Sequence, residues 1–255
     1  MLLQHATWPE VEFYLESNKG IIVPIGSTEQ HGPNGLIGTD ALTAEVIGQR
    51  LGEVTGAFVA PTLNYGMAQH HMAFTGTVTL QPSTMIAVTK DIAMSLVRHG
   101  FERIFFLNGH GGNVNSVKAA FSEVQSELGE AKGLRDGGSN HPPDDVRLEL
   151  HNWWMGEKTT ALRKSLYGDR EGYHATPSEV AVTWFSFPEQ KRDVQLGPLE
   201  KVTRAYQGPE DFRKLFPDGR MGSDPSLATA EDGERLVLLA VYELAERYRQ
   251  FLGED

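Results

Sequence analysis

Short apolar runs alternate with longer segments of helical periodicity along most of this chain. Ile21-Ile22-Val23-Pro24-Ile25 is a β-branched run that ends in a polar, glycine-rich loop over residues 26–39. A helix is expected over residues 40–54, with Asp40 as a good N-cap. Ala57-Phe58-Val59-Ala60-Pro61 reads as a second strand. From Ser83 onward, Met85, Ile86, Val88, Ile92, Ala93, Leu96 and Val97 fall near helical spacing until Gly100 stops the pattern. Arg103-Ile104-Phe105-Phe106-Leu107 reads as a third strand. It passes through Asn108-Gly109-His110-Gly111-Gly112-Asn113 into a helix reaching about residue 128. Residues 129–146 carry Gly137-Gly138 and Pro142-Pro143 and read as a loop or insertion. A strand is expected over residues 146–154, a helix over 178–187 and a strong terminal helix over 228–251. Strands that alternate with helices argue for an α/β fold with a mostly parallel sheet covered on both faces. In such sheets the functional loops leave the C-terminal ends of strands, where the polar loops after the first and third strands would lie.

Composition narrows the choices. The chain has 255 residues, 40% of them hydrophobic, and no internal repeat or linker, so a single domain spanning 1–255 is expected. No run of about 18 apolar residues occurs, so no membrane span is expected. The start, Met1-Leu2-Leu3-Gln4-His5, lacks the regions of a signal peptide, and a cytoplasmic location is the default. The absence of cysteine excludes disulfides, thiolate metal sites and a cysteine nucleophile. A net charge of −11 repels nucleic acid, and no Lys/Arg-rich run offsets it locally. Solubility explains most of that acidity, but bound cations would neutralise some of these carboxylates.

Three polar clusters could carry chemistry. In Gly26-Ser27-Thr28-Glu29-Gln30-His31-Gly32-Pro33, Glu29 and His31 are two apart and share a side in extended backbone. Asp40 closes the same loop. Two carboxylates and an imidazole suit Zn2+, Mn2+ or Fe2+, and an aspartate has two oxygens with which to bridge two ions. The plainer alternative is a surface loop ending in a helix cap. His110 sits among glycines directly after a buried strand, placed either as a ligand or within an anion-binding loop at a helix N-terminus. That loop lacks the Lys-Ser/Thr of a P-loop. His174-Ala175-Thr176-Pro177-Ser178-Glu179 enters a helix that Thr176 or Ser178 could cap, with Glu179 favouring its dipole. Of His70 and His71, one is expected to face the site and one to pack elsewhere, and neither is assigned as a ligand. Trp153 and Trp154 either wall the pocket or belong to the core or a subunit interface.

Taken together, these segments resemble the creatininase family, the creatinine amidohydrolases and their relatives. The resemblance covers nearly the whole chain. It rests on residues 24–33 with Gly38-Thr39-Asp40, on Tyr65-Gly66 leading to His71 and Phe74-Thr75-Gly76-Thr77, and on residues 108–113. It continues through His174-Ala175 with Glu179, Gly222-Ser223-Asp224-Pro225 and residues 228–233. The resemblance implies a three-layer α/β/α sandwich, two divalent metal ions and a homohexamer. By position it implies that Glu29 and His110 hold one metal, His31 the other, and that Asp40 bridges both. His174 matches the histidine that assists the leaving group, and Glu179 an acidic position at or near the second metal.

Three departures argue against creatinine as the substrate. Creatininases proper carry a glutamate for the second metal where this chain has Gly112, so Glu179 is the substitute expected here. Their substrate-covering tryptophan is Arg170, which would face either an anionic substrate group or solvent, and a substrate-contacting serine is Ala68.

The expected reaction is hydrolysis of a small-molecule amide, cyclic amide or formamide by metal-activated water. His174 would protonate the departing nitrogen, and the backbone at Gly111 and Gly112 would let substrate approach closely. Two alternatives are a metal-dependent phosphoesterase and an inactive metal-binding scaffold. No G-x-S-x-G elbow supports serine catalysis.

Overall fold

The first strand is buried along its whole length, as an apolar run covered on both faces requires. In the computed structural model, which describes residues 1–133, 145–199, 201 and 204–253, this strand is β1 (Gly20–Ile25). It lies between β2 (Phe58–Val59) and β3 (Arg103–Asn108), and β4 (Arg147–Asn152) pairs with β3. The sheet order is β2-β1-β3-β4, and every pairing is parallel.

Alternation along the strands divides the core in two. Ile22, Phe105 and Leu107 pack with α2 (Thr39–Thr55), α6 (Pro177–Ser186) and α8 (Ala230–Leu252). Ile21, Val23, Ile25, Ile104 and Phe106 pack on the other face with α1 (Trp8–Ser17), α3 (Pro82–Arg98) and α4 (Val114–Gly133). The result is the three-layer α/β/α sandwich. Helix α5 (Glu157–Tyr167) adds Tyr167 to the first of these cores beside α6 and α8, and α7 (Gly208–Leu215) lies against the turn at Gln69–His71.

The observed boundaries refine several expectations. The second strand shortens to Phe58–Val59, and β4 ends at Asn152, where Trp153–Met155 forms a 3-10 turn. Helix α4 continues to Gly133, so part of the expected 129–146 loop is helical. Gly137-Gly138 and Pro142-Pro143 lie outside the described residues. Gly38, not Asp40, occupies the N-cap of α2. Asp40 stands in the first turn because its carboxylate is drawn to His31 and His110. Among the described residues, no helix is long and apolar enough to cross a membrane.

Register aligns the functional loops. Ile25 is opposite Asn108, which is opposite Asn152, so three loops leave the sheet at one level. Gly26 and Gly109 open two of them against the start of α2. A Cβ on Gly26 would lie 2.3 Å from the Ala41 backbone, and one on Gly109 would lie 1.9 Å from the Asp40 carbonyl oxygen. Only glycine permits that approach, and the approach places Asp40 between the loops after β1 and β3.

Candidate metal centre

The loop after β1 contributes Glu29 and His31, both almost completely buried. His31 Nδ1 donates to the Glu29 carbonyl at 3.0 Å, which turns Nε2 towards Asp40 Oδ1, also at 3.0 Å. Glu179 Oε1 is 3.9 Å from the same nitrogen. From the end of β3, His110 places Nδ1 2.9 Å from Asp40 Oδ2 and Nε2 3.2 Å from Glu29 Oε2. His110 Nε2 also donates to the Met67 carbonyl at 2.9 Å, so in the neutral ring Nδ1 is the nitrogen with the lone pair.

Glu179 combines two roles. Thr176 caps α6 by accepting from Glu179 N, and the Glu179 carboxylate accepts from Thr176 N, closing a capping box. This tether holds the carboxylate facing His31. Ahead of it, Ala175 adopts φ 54° although it carries a side chain. That backbone strain lies beside His174, where the surrounding structure must stabilise it.

Burial and charge set the protonation states. Burial works against a charged His31, but Asp40, Glu179 and Glu29 outweigh it and push the ring up to about 10. His110 is likewise opposed by burial, yet Glu29 and Asp40 raise it to about 9. Burial alone would raise Asp40, but His31 and His110 hold it well below the usual carboxylate range. Burial pushes Glu179 up to about 7 despite the pull of His31. His174 and His71 stay neutral, His174 driven down by burial and by His71 and His31, and His71 down to about 2 by burial and His70.

These residues fit a divalent cation. Among the described residues, neither Glu29 oxygen nor Asp40 Oδ2 has an aligned hydrogen-bond partner, although buried carboxylates ordinarily find one. Glu29, His31 and Asp40 offer donor atoms within 4.8 Å of one another, as do His31, His174 and Glu179. Asp40 Oδ2 opposes His110 Nδ1 at close range without hydrogen-bond alignment, as lone pairs aimed at a shared point would. The donor set of imidazole and carboxylate suits Zn2+, Mn2+ or Fe2+.

Above the centre is a cleft of about 420 Å³, lined by Asp40, His110, Gly111, Gly112, Trp153, Trp154, His174 and Glu179 among others. Gly111 faces open space. A Cβ on Gly112 would lie 2.4 Å from His110 Nε2, so this backbone cannot carry a glutamate without displacing that ring. Arg170 does not line the cleft. Its side chain is 57% exposed, 3.7 Å from Asp224. The arginine in the wall is Arg163, bound to Glu171 at 2.6 Å and to the Trp154 carbonyl at 3.0 Å.

His71 is the residue that sequence reading left unassigned. It lies with Nε2 3.2 Å from Glu29 Oε1, while His70 stacks on Tyr206. A short 3-10 turn over Gln69–His71 separates the two rings' roles, and adjacency in sequence gave no sign of which would turn inward. Its place in the segment Tyr65 to Thr77 was the signal available.

The sequence pattern of the Creatininase family, described as creatinine amidohydrolase, matches residues 4–248. A mycofactocin precursor peptide peptidase of Mycolicibacterium smegmatis is 35% identical over 91% of this chain and 85% of its own length. The creatinine amidohydrolase of Pseudomonas putida is 28% identical over 96% of this chain and 94% of its own. The alignment to a mycofactocin precursor peptide peptidase of Mycobacterium ulcerans, at 30% identity, spans 60% of that protein's length. A solved structure titled "Creatininase Mn" superposes with a TM-score of 0.84 at 25% identity, covering 98% of this chain and 97% of that one. With its sandwich and nearly its whole length in agreement, this chain belongs to the creatininase family of amidohydrolases, enzymes that hydrolyse carbon–nitrogen bonds.

Proposed function

We propose that this enzyme hydrolyses an amide other than creatinine, using two divalent ions at the floor of the cleft. The observation that carries the proposal is the set of buried, unpartnered carboxylate oxygens on Glu29 and Asp40, converging with histidine nitrogens. Glu29, Asp40 and His110 would hold one ion; His31, Asp40 and Glu179 would hold the second. The carboxylates of Glu29, Asp40 and Glu179 would offset most of the charge of two dications. Such ions supply nucleophile activation near pH 7 and polarisation of the carbonyl.

The remaining steps belong to the chain's own residues. His174 Nε2 donates to the Gln30 carbonyl at 2.7 Å, which leaves Nδ1 able to take up a proton and pass it to the departing nitrogen. Gly111 and Gly112 keep the cleft open at His110, so a flat amide can approach the floor. Trp154 and the edge of Trp153, itself a member of the core, give the cleft an apolar side, and a cleft of this volume suits a small ligand.

A second reading concerns the substrate alone. The 35% identity to a mycofactocin precursor peptide peptidase favours a peptide amide over a cyclic one. Both readings are tested with cyclic amides, formamides, short peptides and phosphoesters, each assayed with added Mn2+, Zn2+ or Fe2+. Amide or peptide turnover without phosphoester turnover is expected. Phosphoester hydrolysis alone would contradict the proposal, and stoichiometric metal without any turnover would support the scaffold alternative.

A further inference from the structure

The side chain of Gln30 is buried between two histidine rings, and its orientation is fixed by the backbone. Oε1 accepts from Gly32 N at 2.9 Å, and Nε2 donates to the Gly219 carbonyl at 3.0 Å. A backbone N–H cannot accept and a carbonyl cannot donate, so turning the amide over would break both contacts. Gly219, at φ +85°, leaves room for it. A Cβ there would lie 1.9 Å from Gln30 Oε1.

Counting hydrogens then assigns the rings. Gln30 Nε2 carries two hydrogens, one of which goes to Gly219. His71 Nδ1 lies 2.9 Å from this nitrogen and can receive the other. His174 Nε2 is also 2.9 Å away, but its proton goes to the Gln30 main-chain carbonyl at 2.7 Å. Each acceptor is thereby served once, and His71 Nδ1 is left without a proton. In a neutral ring the proton must sit on the other nitrogen. That nitrogen, Nε2, faces Glu29 Oε1 at 3.2 Å, a close charge–dipole contact outside hydrogen-bond alignment.

We propose that Gln30 fixes His71 as the Nε2-protonated tautomer, so that His71 presents an N–H and not a lone pair to the Glu29 carboxylate and is not a metal ligand. The proposal rests on Glu29 being a ligand, as set out above. Proximity alone would suggest otherwise, because Glu29, His71 and His174 present donor atoms within 4.8 Å of one another. A protonated nitrogen, however, has no lone pair to give a cation. The ring is held in place by stacking on His174, with centroids 4.1 Å apart, and by the edge of Phe212 at 4.8 Å. His71 is thus a positioning residue that acts through Glu29, and donors of this kind typically set metal affinity by about 10–100-fold.

Two measurements test this. Solid-state NMR of metal-free protein labelled with 15N in its nine histidines reads the tautomer directly, with the signal lost in His71→Gln identifying His71. An unprotonated Nδ1 and a protonated Nε2 are expected in the wild type, and loss of that single form in Gln30→Leu. A protonated Nδ1 in the wild type would overturn the proposal whatever the metal site proves to be. Elemental analysis and chelator competition read the consequence. Glutamine can place an amide N–H where His71 has Nε2–H, so His71→Gln should keep the full metal complement with affinity within about threefold, while His71→Ala loses about 10–100-fold. Loss of an ion in His71→Gln would make His71 a ligand, and unchanged affinity in His71→Ala would remove its role. Metal retained in Glu29→Ala would overturn the ligand reading itself, leaving the tautomer result to stand or fall separately.

Discussion

Asp40 and His174 separate the two halves of the proposed chemistry at the scale of single residues. His174→Gln should leave metal content unchanged and lower turnover by about 10²-fold or more, the usual worth of a positioned proton donor. Full activity in that variant would place the donor elsewhere. The histidines facing Asp40 predict a pH effect in the metal-free protein. His31 and His110 are raised to about 10 and about 9 in the fold, from about 6.5 in an unfolded chain. Folded protein therefore binds more protons than unfolded protein between these values. Their contribution to stability is complete below about pH 6.5 and is lost as pH rises through about 9–10. Thermal melts of chelator-treated enzyme should show Tm falling over that window. Bound metal replaces those protons and should flatten the fall, whereas an unchanged slope would contradict cation binding at His31 and His110. At this scale the sequence pointed to Glu29, His31 and His110 because they lie in loops after apolar strands, and to Asp40 because it opens the helix that follows. It was uninformative about Arg170, whose pairing with Asp224 depends on the path of the chain between 168 and 224.

The site at the scale of elements depends on two loops pressing against the first turn of α2. Gly109→Ala would set a methyl group 1.9 Å from the Asp40 carbonyl oxygen. A buried backbone clash of this kind should cost about 1–3 kcal/mol by urea unfolding and reduce metal affinity as Asp40 shifts. Alanine tolerated there without either effect would mean that the loop is loosely packed. Thr176→Ala should cost about 1 kcal/mol through the lost cap and also loosen Glu179. Periodicity located β1, β3, α3 and α8 because their apolar faces meet a layer of the core. Helices α5 and α7 escaped for the opposite reason. Residues 157–167 are mostly polar, with only Thr159 and Tyr167 buried, and α7 has eight residues with Phe212 alone buried. Helix α1 did carry a signal, the Thr7/Glu10 capping box with Pro9. Its exposed Trp8 and Phe13 blur the apolar stripe.

The alternation of strand and helix fixed the layer order at the scale of the whole molecule, and the parallel sheet put the polar loops at one end. What that pattern could not supply was the return of the chain from β4 through residues 170–179. Long-range packing, and not local preference, brings His174 and Glu179 over the loop after β1. Resemblance filled that gap, and residue 112 shows where it stops, since the backbone there admits no glutamate beside His110. The hexamer implied by the same resemblance predicts an assembly of six 28.2 kDa protomers in light scattering. A monomeric mass would contradict it.

The central proposal is that Asp40 would help to hold both of two metal ions. Elemental analysis of purified wild-type enzyme and Asp40→Ala, loaded identically with Mn2+ or Zn2+ and freed of excess, tests it most directly. Two equivalents per protomer in the wild type and almost none in Asp40→Ala are predicted. Equal metal content in the two proteins would contradict the account.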